Sequence, residues 1–190
     1  MLFRSLKDPS QIADNIASHI TATISEKQQI FETVDVKKRL NAIIKILQDM
    51  ICFDIEEIEK NKKKFISKHW ERSKKKDEGG GEYRILENGK VFEKVGVNFS
   101  EVYGKFSSDF RKKIPGTNSD PNFWASGISI VMHMKNPHIP AMHFNTRYIH
   151  TSFGWFGGGM DVTPSFEDNT FVKEKYSTTD FFRCRNSYDF

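Results

Sequence analysis

The sequence predicts an α+β protein, an antiparallel β-sheet flanked by helices with a helical segment at its amino terminus. Three observations carry this prediction. Apolar residues recur at three-and-four spacing through the first third of the chain. An Asn-Gly dipeptide, Asn88-Gly89, separates two strand-like runs at 82–87 and 90–97. Two later runs, Ser129 to His133 and His143 to Arg147, alternate polar and apolar residues across a Pro-containing loop. Helices first and antiparallel strands after make the α+β pattern.

The helices come with start signals. Asp8-Pro9-Ser10-Gln11 places a capping acid before a proline at the first helical position, with Gln11 set to close a capping box. That helix should run to about Ile20, with Ile12, Ala13, Ile16, Ala17 and Ile20 forming one buried stripe. Ser25-Glu26-Lys27-Gln28 repeats the capping signature. Asp35 can cap a third helix carrying Leu40, Ile43, Ile44, Leu47 and Ile51 on one face. A loosely helical pattern continues through Phe53, Ile55, Ile58 and Phe65 into Lys60 to Lys76, a segment with nine basic residues against one acid, Glu71.

Strand chemistry follows Gly79-Gly80-Gly81. The favoured turn for Asn88-Gly89 is a two-residue type I′ hairpin, in which both central residues take positive φ. Phe99 to Phe110 is ambiguous, and Pro115 to Pro121 is a loop. In the alternating pair, Ser129, Val131 and His133 share one strand face, and His143, Asn145 and Arg147 share one face of the next. An antiparallel hairpin centred on residue 138 would set His133 opposite His143, Val131 opposite Asn145 and Ser129 opposite Arg147. The other face would hold Ile128, Ile130, Met132, Met134, Met142, Phe144 and Tyr148, a set suited to a core. Further on, Gly157-Gly158-Gly159 reads as a flexible run immediately before Met160-Asp161. Residues 168–190 read as polar and irregular.

Composition sets outer bounds. A net charge of +4 with 28% charged residues fits a soluble chain of mild basic bias and names no partner. No apolar run is long enough for a membrane span, and the first residues lack a secretory apolar core, so cytoplasmic residence is the default expectation. Cys52 and Cys184 lie far apart without CxxC spacing, which argues against a disulfide framework or a zinc site. Gly79 to Gly81 is a poor phosphate loop, because no Lys-Ser/Thr follows and a strand comes next. The lysine run fits a solvated helix face or linker better than a nucleic-acid grip, since no aromatic RNA-binding platform accompanies it. His138 and His150 fall outside the polar face.

Three blocks, GGGEYRILENGKVFEKVGVNFSEVYGKF, FWASGISIVMHMKNPHIPAMHFNTRY and WFGGGMDVTP, resemble in order the aerobic coproporphyrinogen III oxidase family of haem biosynthesis. With the preceding helix the resemblance covers about 54–166. It implies a broad antiparallel sheet with helices on both faces and a homodimer. It also implies oxygen-dependent conversion of two propionates of coproporphyrinogen III to vinyls, giving protoporphyrinogen IX. No organic cofactor is implied, molecular oxygen is the co-substrate, and a divalent metal is compatible. By position in the family motifs, Ser129, Asn145, Thr146 and Arg147 are substrate contacts, His143 is the proton donor and His133 and His143 are metal ligands. Two ligands are too few for a metal site on their own. Asp161 is the carboxylate expected beneath the pyrrole N–H groups. Thr146 lies on the opposite strand face and would contact substrate through its backbone.

Residues from about 5 to 50, LKDPSQIADNIASHITATISEKQQIFETVDVKKRLNAIIKIL at their heart, are similar to a helical part of the Lon protease amino-terminal domain. The expected organisation is therefore a helical segment at 1–50, an amphipathic helix and lysine-rich linker at 51–78, a partial oxidase domain at 79–166 and a tail at 167–190. Family members continue beyond the last block, so the chain reads as a truncated oxidase holding about half of a pocket. Two alternatives to an active oxidase stand beside this: an inactive oxidase fragment, and a protein-interaction module built from residues 1–50.

Overall fold

A computed structural model describes residues 8–60, 62–73, 76–117 and 120–166. Helix α1 (Pro9–His19) starts where Asp8 accepts a hydrogen bond from the Ser10 N–H. Helix α2 (Ile24–Glu32) begins two residues earlier than Ser25 would place it. Thr23 is its cap, and Glu26 completes the box by accepting from the Thr23 N–H at 2.8 Å. Counted from Ser25 the reciprocal partner would have been the neutral Gln28; a carboxylate is the stronger acceptor for an unpaired N–H. Asp35 caps α3 (Val36–Ile58), a single 23-residue helix.

Six strands follow: β1 (Ile66–Glu71), β2 (Gly79–Glu87), β3 (Phe92–Lys105), β4 (Asn122–Met134), β5 (Ala141–His150) and β6 (Gly154–Thr163). A short helix, α4 (Ser108–Arg111), lies between β3 and β4. The strands form one antiparallel meander in sequence order. Two of them lie where no strand was expected. β1 occupies the lysine-rich segment, with Lys68 and His69 pairing Tyr83 and Glu82. β6 contains the glycine run, which is ladder-bonded to β5 instead of forming a flexible loop.

One face of this sheet carries the core. Leu86, Val95, Val97, Phe99, Ile128 and Ile130 pack against Ile44, Cys52 and Ile55 of α3. Trp124 and Tyr148 join Leu40 and Ile43 of α3, Ile30 of α2 and Ala13 and Ala17 of α1. Polar contacts fix how the layers meet. Buried Gln48 donates from Nε2 to the carbonyls of Glu82 and Val97, both at 3.1 Å. Arg39 ties the three helices together through Asp14, Ser10 and the Thr33 carbonyl. α1, α2 and α3 all lie on this face; the short α4 does not join them, its Phe110 meeting Phe106, which stacks on Phe123, a β4 residue that alternates to the face opposite Trp124. No helix among the described residues is long and apolar enough to cross a membrane.

A hairpin is present, but Asn88-Gly89 is not its two-residue turn. Glu87 pairs with Lys94, and the N–H groups of Asn88 and Gly89 go on to donate to the carbonyls of Glu93 and Phe92, both at 2.9 Å, which moves the reversal to Lys90-Val91; of the dipeptide only Asn88 takes positive φ, at 54°. A carboxylate explains the departure. Glu59, one residue past the end of α3 and 1% exposed, accepts hydrogen bonds from the N–H groups of Lys90, Val91 and Phe92 at 2.6, 2.8 and 2.7 Å. The loop closes around this anion. Gly89 leaves it room, since a β-carbon there would sit 2.4 Å from Glu59 Oε1.

Candidate active site

The face turned away from the helices holds the predicted polar set in a register different from the one expected. β4 and β5 pair Val131 with His143, Ser129 with Asn145 and Gly127 with Arg147. The hairpin is centred on residue 137, not 138. Shifting the centre by one residue moves each pairing by two, so every side chain keeps its face and only its neighbour changes. Ser129 faces Asn145 instead of Arg147, and His133 meets His143 diagonally, with ring centroids 5.6 Å apart.

β6 contributes what the hairpin lacks. Asp161 is the cross-strand partner of His143, and both its oxygens lie 3.2 Å from His143 Nδ1. A carboxylate can only accept here, so Nδ1 carries the proton and Nε2 is left for a ligand. The Thr163 hydroxyl donates to Asp161 Oδ2 at 2.8 Å. That bond, followed by the one from His143, holds the Asp161 carboxyl below the ordinary carboxylate range against a smaller effect of burial. Both side chains stay open to solvent, 36% exposed for His143 and 51% for Asp161, enough to reach a bound molecule.

Asn145 and Arg147 project from the same face and are exposed, and among the described residues Arg147 makes no ion pair. A guanidinium free of protein carboxylates can grip a ligand carboxylate through two parallel charge-assisted bonds. Thr146 pairs with Ile128 and Gly158 and so points to the helix side, as its strand position required. The His133 and His143 imidazoles are near neighbours, but no group of three or more His, Cys, Asp or Glu among the described residues is spaced to hold a metal ion. The residues present do not fit a complete metal centre, and no chemistry is routed through one.

Several participants escaped the sequence reading. Thr163 lies two residues from Asp161, so strand alternation would have joined them had the glycine run been read as a strand. Trp70 and Asn98 share the open face, with Trp70 Nε1 donating to Asn98 Oδ1 at 2.9 Å. Trp70 sits in the lysine-rich segment, whose charge hid its alternation. The triple glycine has a packing role. A β-carbon on Gly81 would lie 2.0 Å from the Phe99 carbonyl oxygen and 2.9 Å from Trp70 Cζ2, so glycine is what lets the indole lie on the sheet.

Comparison with known proteins gives this face a context. Residues 39–180 match the coproporphyrinogen III oxidase family, and residues 2–49 match the substrate-binding domain of ATP-dependent protease La (LON). An oxygen-dependent coproporphyrinogen-III oxidase of Rickettsia bellii strain RML369-C is 52% identical over 134 residues, covering 65% of this chain and 47% of the relative. The protein of the same name from Rickettsia africae is 51% identical over 136 residues, 67% of this chain and 47% of its own. The one from Rickettsia felis is 50% identical over 128 residues. The chain thus spans about half the length of the curated relatives it matches. The two family matches overlap at 39–49, inside α3.

Proposed function

The chain belongs to the coproporphyrinogen III oxidase family, matched over residues 39–180, and from that membership we propose that its open sheet face binds coproporphyrinogen III for oxygen-dependent oxidative decarboxylation. In each of two propionates the bond to the carboxylate carbon breaks and carbon dioxide leaves. The carbon attached to the ring loses a hydrogen with its electron pair, the pair left behind by the carbon dioxide closes the double bond, and molecular oxygen takes up the hydride and a proton to become hydrogen peroxide. The product is protoporphyrinogen IX. The observation that carries this reading is the gathering of Ser129, His143, Asn145, Arg147 and Asp161 on one face backed by an apolar core.

Each residue has a task its chemistry suits. Arg147 holds a propionate through its fork, with Ser129 and Asn145 as neutral donors. The bonds from Thr163 and His143 that hold the Asp161 carboxyl below its ordinary range keep it an ionised acceptor; as such it orients the inward pyrrole N–H groups, and a proton leaves one of them toward it as the ring reacts. Loss of that proton makes the pyrrole electron-rich enough to react with oxygen without an organic cofactor. His143, held at Nδ1 by Asp161, returns a proton from Nε2, the ring nitrogen left free for the ligand. We assign the oxidase portion to 79–166, with homodimeric assembly in the cytoplasm.

The direct test is incubation of the purified chain with coproporphyrinogen III and oxygen, following porphyrin fluorescence after autoxidation of the product. Protoporphyrin should appear, and Asp161→Ala should cut turnover far more than binding. A flat trace at high protein concentration would leave a binding face without turnover.

A further inference from the structure

We propose that Asn98 is a further substrate-contacting residue and Trp70 its positioning residue, so that the recognition row reaches beyond the β4–β5 hairpin onto β3. This rests on the tetrapyrrole reading of the open face. Asn98 is the cross-strand partner of Ser129, which in turn pairs with Asn145. Three polar side chains therefore stand side by side on adjacent strands, spaced by the strand separation of about 4.8 Å.

The orientation of Asn98 follows from the inventory of donors. An indole N–H can only donate, so the atom it meets, 2.9 Å away, must be the amide oxygen. The amide NH2 is then turned away from Trp70. It makes no hydrogen bond with any described residue and is not sealed from solvent. Two N–H donors are left fixed on a half-buried side chain beside Ser129, on the same face as Arg147. Such donors suit a carboxylate.

Trp70 is itself held. Its ring lies over Gly81, where a β-carbon would come within 2.9 Å of Cζ2, and β1 is ladder-bonded to β2 on both sides of it. The indole cannot reach over a substituted residue at 81, so the glycine, the tryptophan and the asparagine form one chain of dependence. Its outcome is a preset amide, which binds without first giving up rotational freedom.

Titration of the chain with coproporphyrin III, the stable oxidised form of the substrate, followed by fluorescence quenching, separates the possibilities. Asn98→Asp is the informative variant, because its carboxylate still accepts from Trp70 while the NH2 donors become a negative oxygen. It should weaken binding by about tenfold or more, the effect of losing one hydrogen bond to a charged group, with an unchanged unfolding midpoint. Trp70→Phe keeps the ring over Gly81 and loses only the N–H. It should weaken binding a few-fold in wild type and add nothing on top of Asn98→Leu, the non-additivity expected of residues acting through one another. Wild-type binding with Asn98→Asp equally tight overturns the assignment of Asn98 alone. Full additivity of Trp70→Phe with Asn98→Leu overturns the positioning role. A wild-type chain that does not bind coproporphyrin overturns the tetrapyrrole reading and this one with it.

Discussion

Replacing Glu59 with Gln tests whether a single buried carboxylate joins the end of α3 to the β2–β3 hairpin. Its Oε1 accepts from Val91 and Phe92 and its Oε2 from Lys90. Gln can keep the pair at Oε1 as neutral hydrogen bonds, each about 1 kcal/mol weaker than its charge-assisted version, and sets an NH2 donor against the Lys90 N–H, losing about 1 to 2 kcal/mol more. The expected destabilisation is about 3 kcal/mol, or a fall in Tm of roughly 6 to 12 °C for a chain of this size. Thermal unfolding followed by circular dichroism reads it directly. pH supplies the sharper control. Burial pushes the Glu59 carboxyl up, but the donors from Phe92, Lys90 and Val91 together outweigh it and leave it below its ordinary value of 4.5. A group depressed in the folded state stabilises above its unfolded pKa, and that contribution is lost as pH falls below 4.5 and through the folded value. The gap between wild type and Glu59→Gln should therefore be full at pH 7 and shrink as the solution is acidified below that value. A gap that does not change on acidification, or a variant as stable as wild type at pH 7, refutes the argument.

Three further outcomes are expected. Gly81→Ala should displace β2 from β3 and cost about 3 kcal/mol by overpacking, read as a lower urea midpoint; a neutral result would mean the ladder yields there easily. Arg147→Lys should weaken coproporphyrin III binding by about tenfold, since a point charge replaces a two-pronged fork; equal affinity by fluorescence titration would remove Arg147 from carboxylate recognition. In a Cys184→Ser background, Cys52 should resist a thiol reagent at pH 8, because burial pushes its thiol up to about 11. Its labelling rate should rise with urea in step with unfolding, and rapid labelling of the native chain would contradict the core described above.

The sequence was most legible where one periodicity ruled. The third helix, its Asp35 cap and the stripe of Leu40, Ile43 and Ile44 follow from spacing, and the alternating hairpin follows from a period of two. The face of each hairpin residue was therefore readable. Its neighbours were not, because moving the centre from 138 to 137 leaves the alternation untouched and is decided by the loop at 135–140. β1 was hidden by Lys68 within it and by the lysines that flank it, which together read as linker. The glycine run of β6 carries no side chains from which to read alternation. The true place of the turn, past Asn88-Gly89, depended on Glu59, some thirty residues earlier, and no local rule for turns contains that contact. The pairing of Asp161 with His143 was missed for the same reason as β6 itself, since two strands must be placed before their residues can meet.

Helix α3 has a consequence for how two kinds of sequence can share one chain. The stretch similar to the protease domain ends at residue 49 and the oxidase match starts at 39, so the changeover lies within one unbroken helix. Each residue added to a helix turns everything after it by about 100°. Upstream, Leu40 and Ile43 meet Trp124 and Tyr148; downstream, Cys52 and Ile55 meet Leu86 and Val95 on the same sheet. Both groups land on one side only if the two pieces are joined in angular phase. Inserting a single residue near Leu47 would swing Cys52 and Ile55 away from the strands and carry Glu59 off its hairpin, whereas inserting seven, close to two whole turns, would restore the facing at the cost of added length.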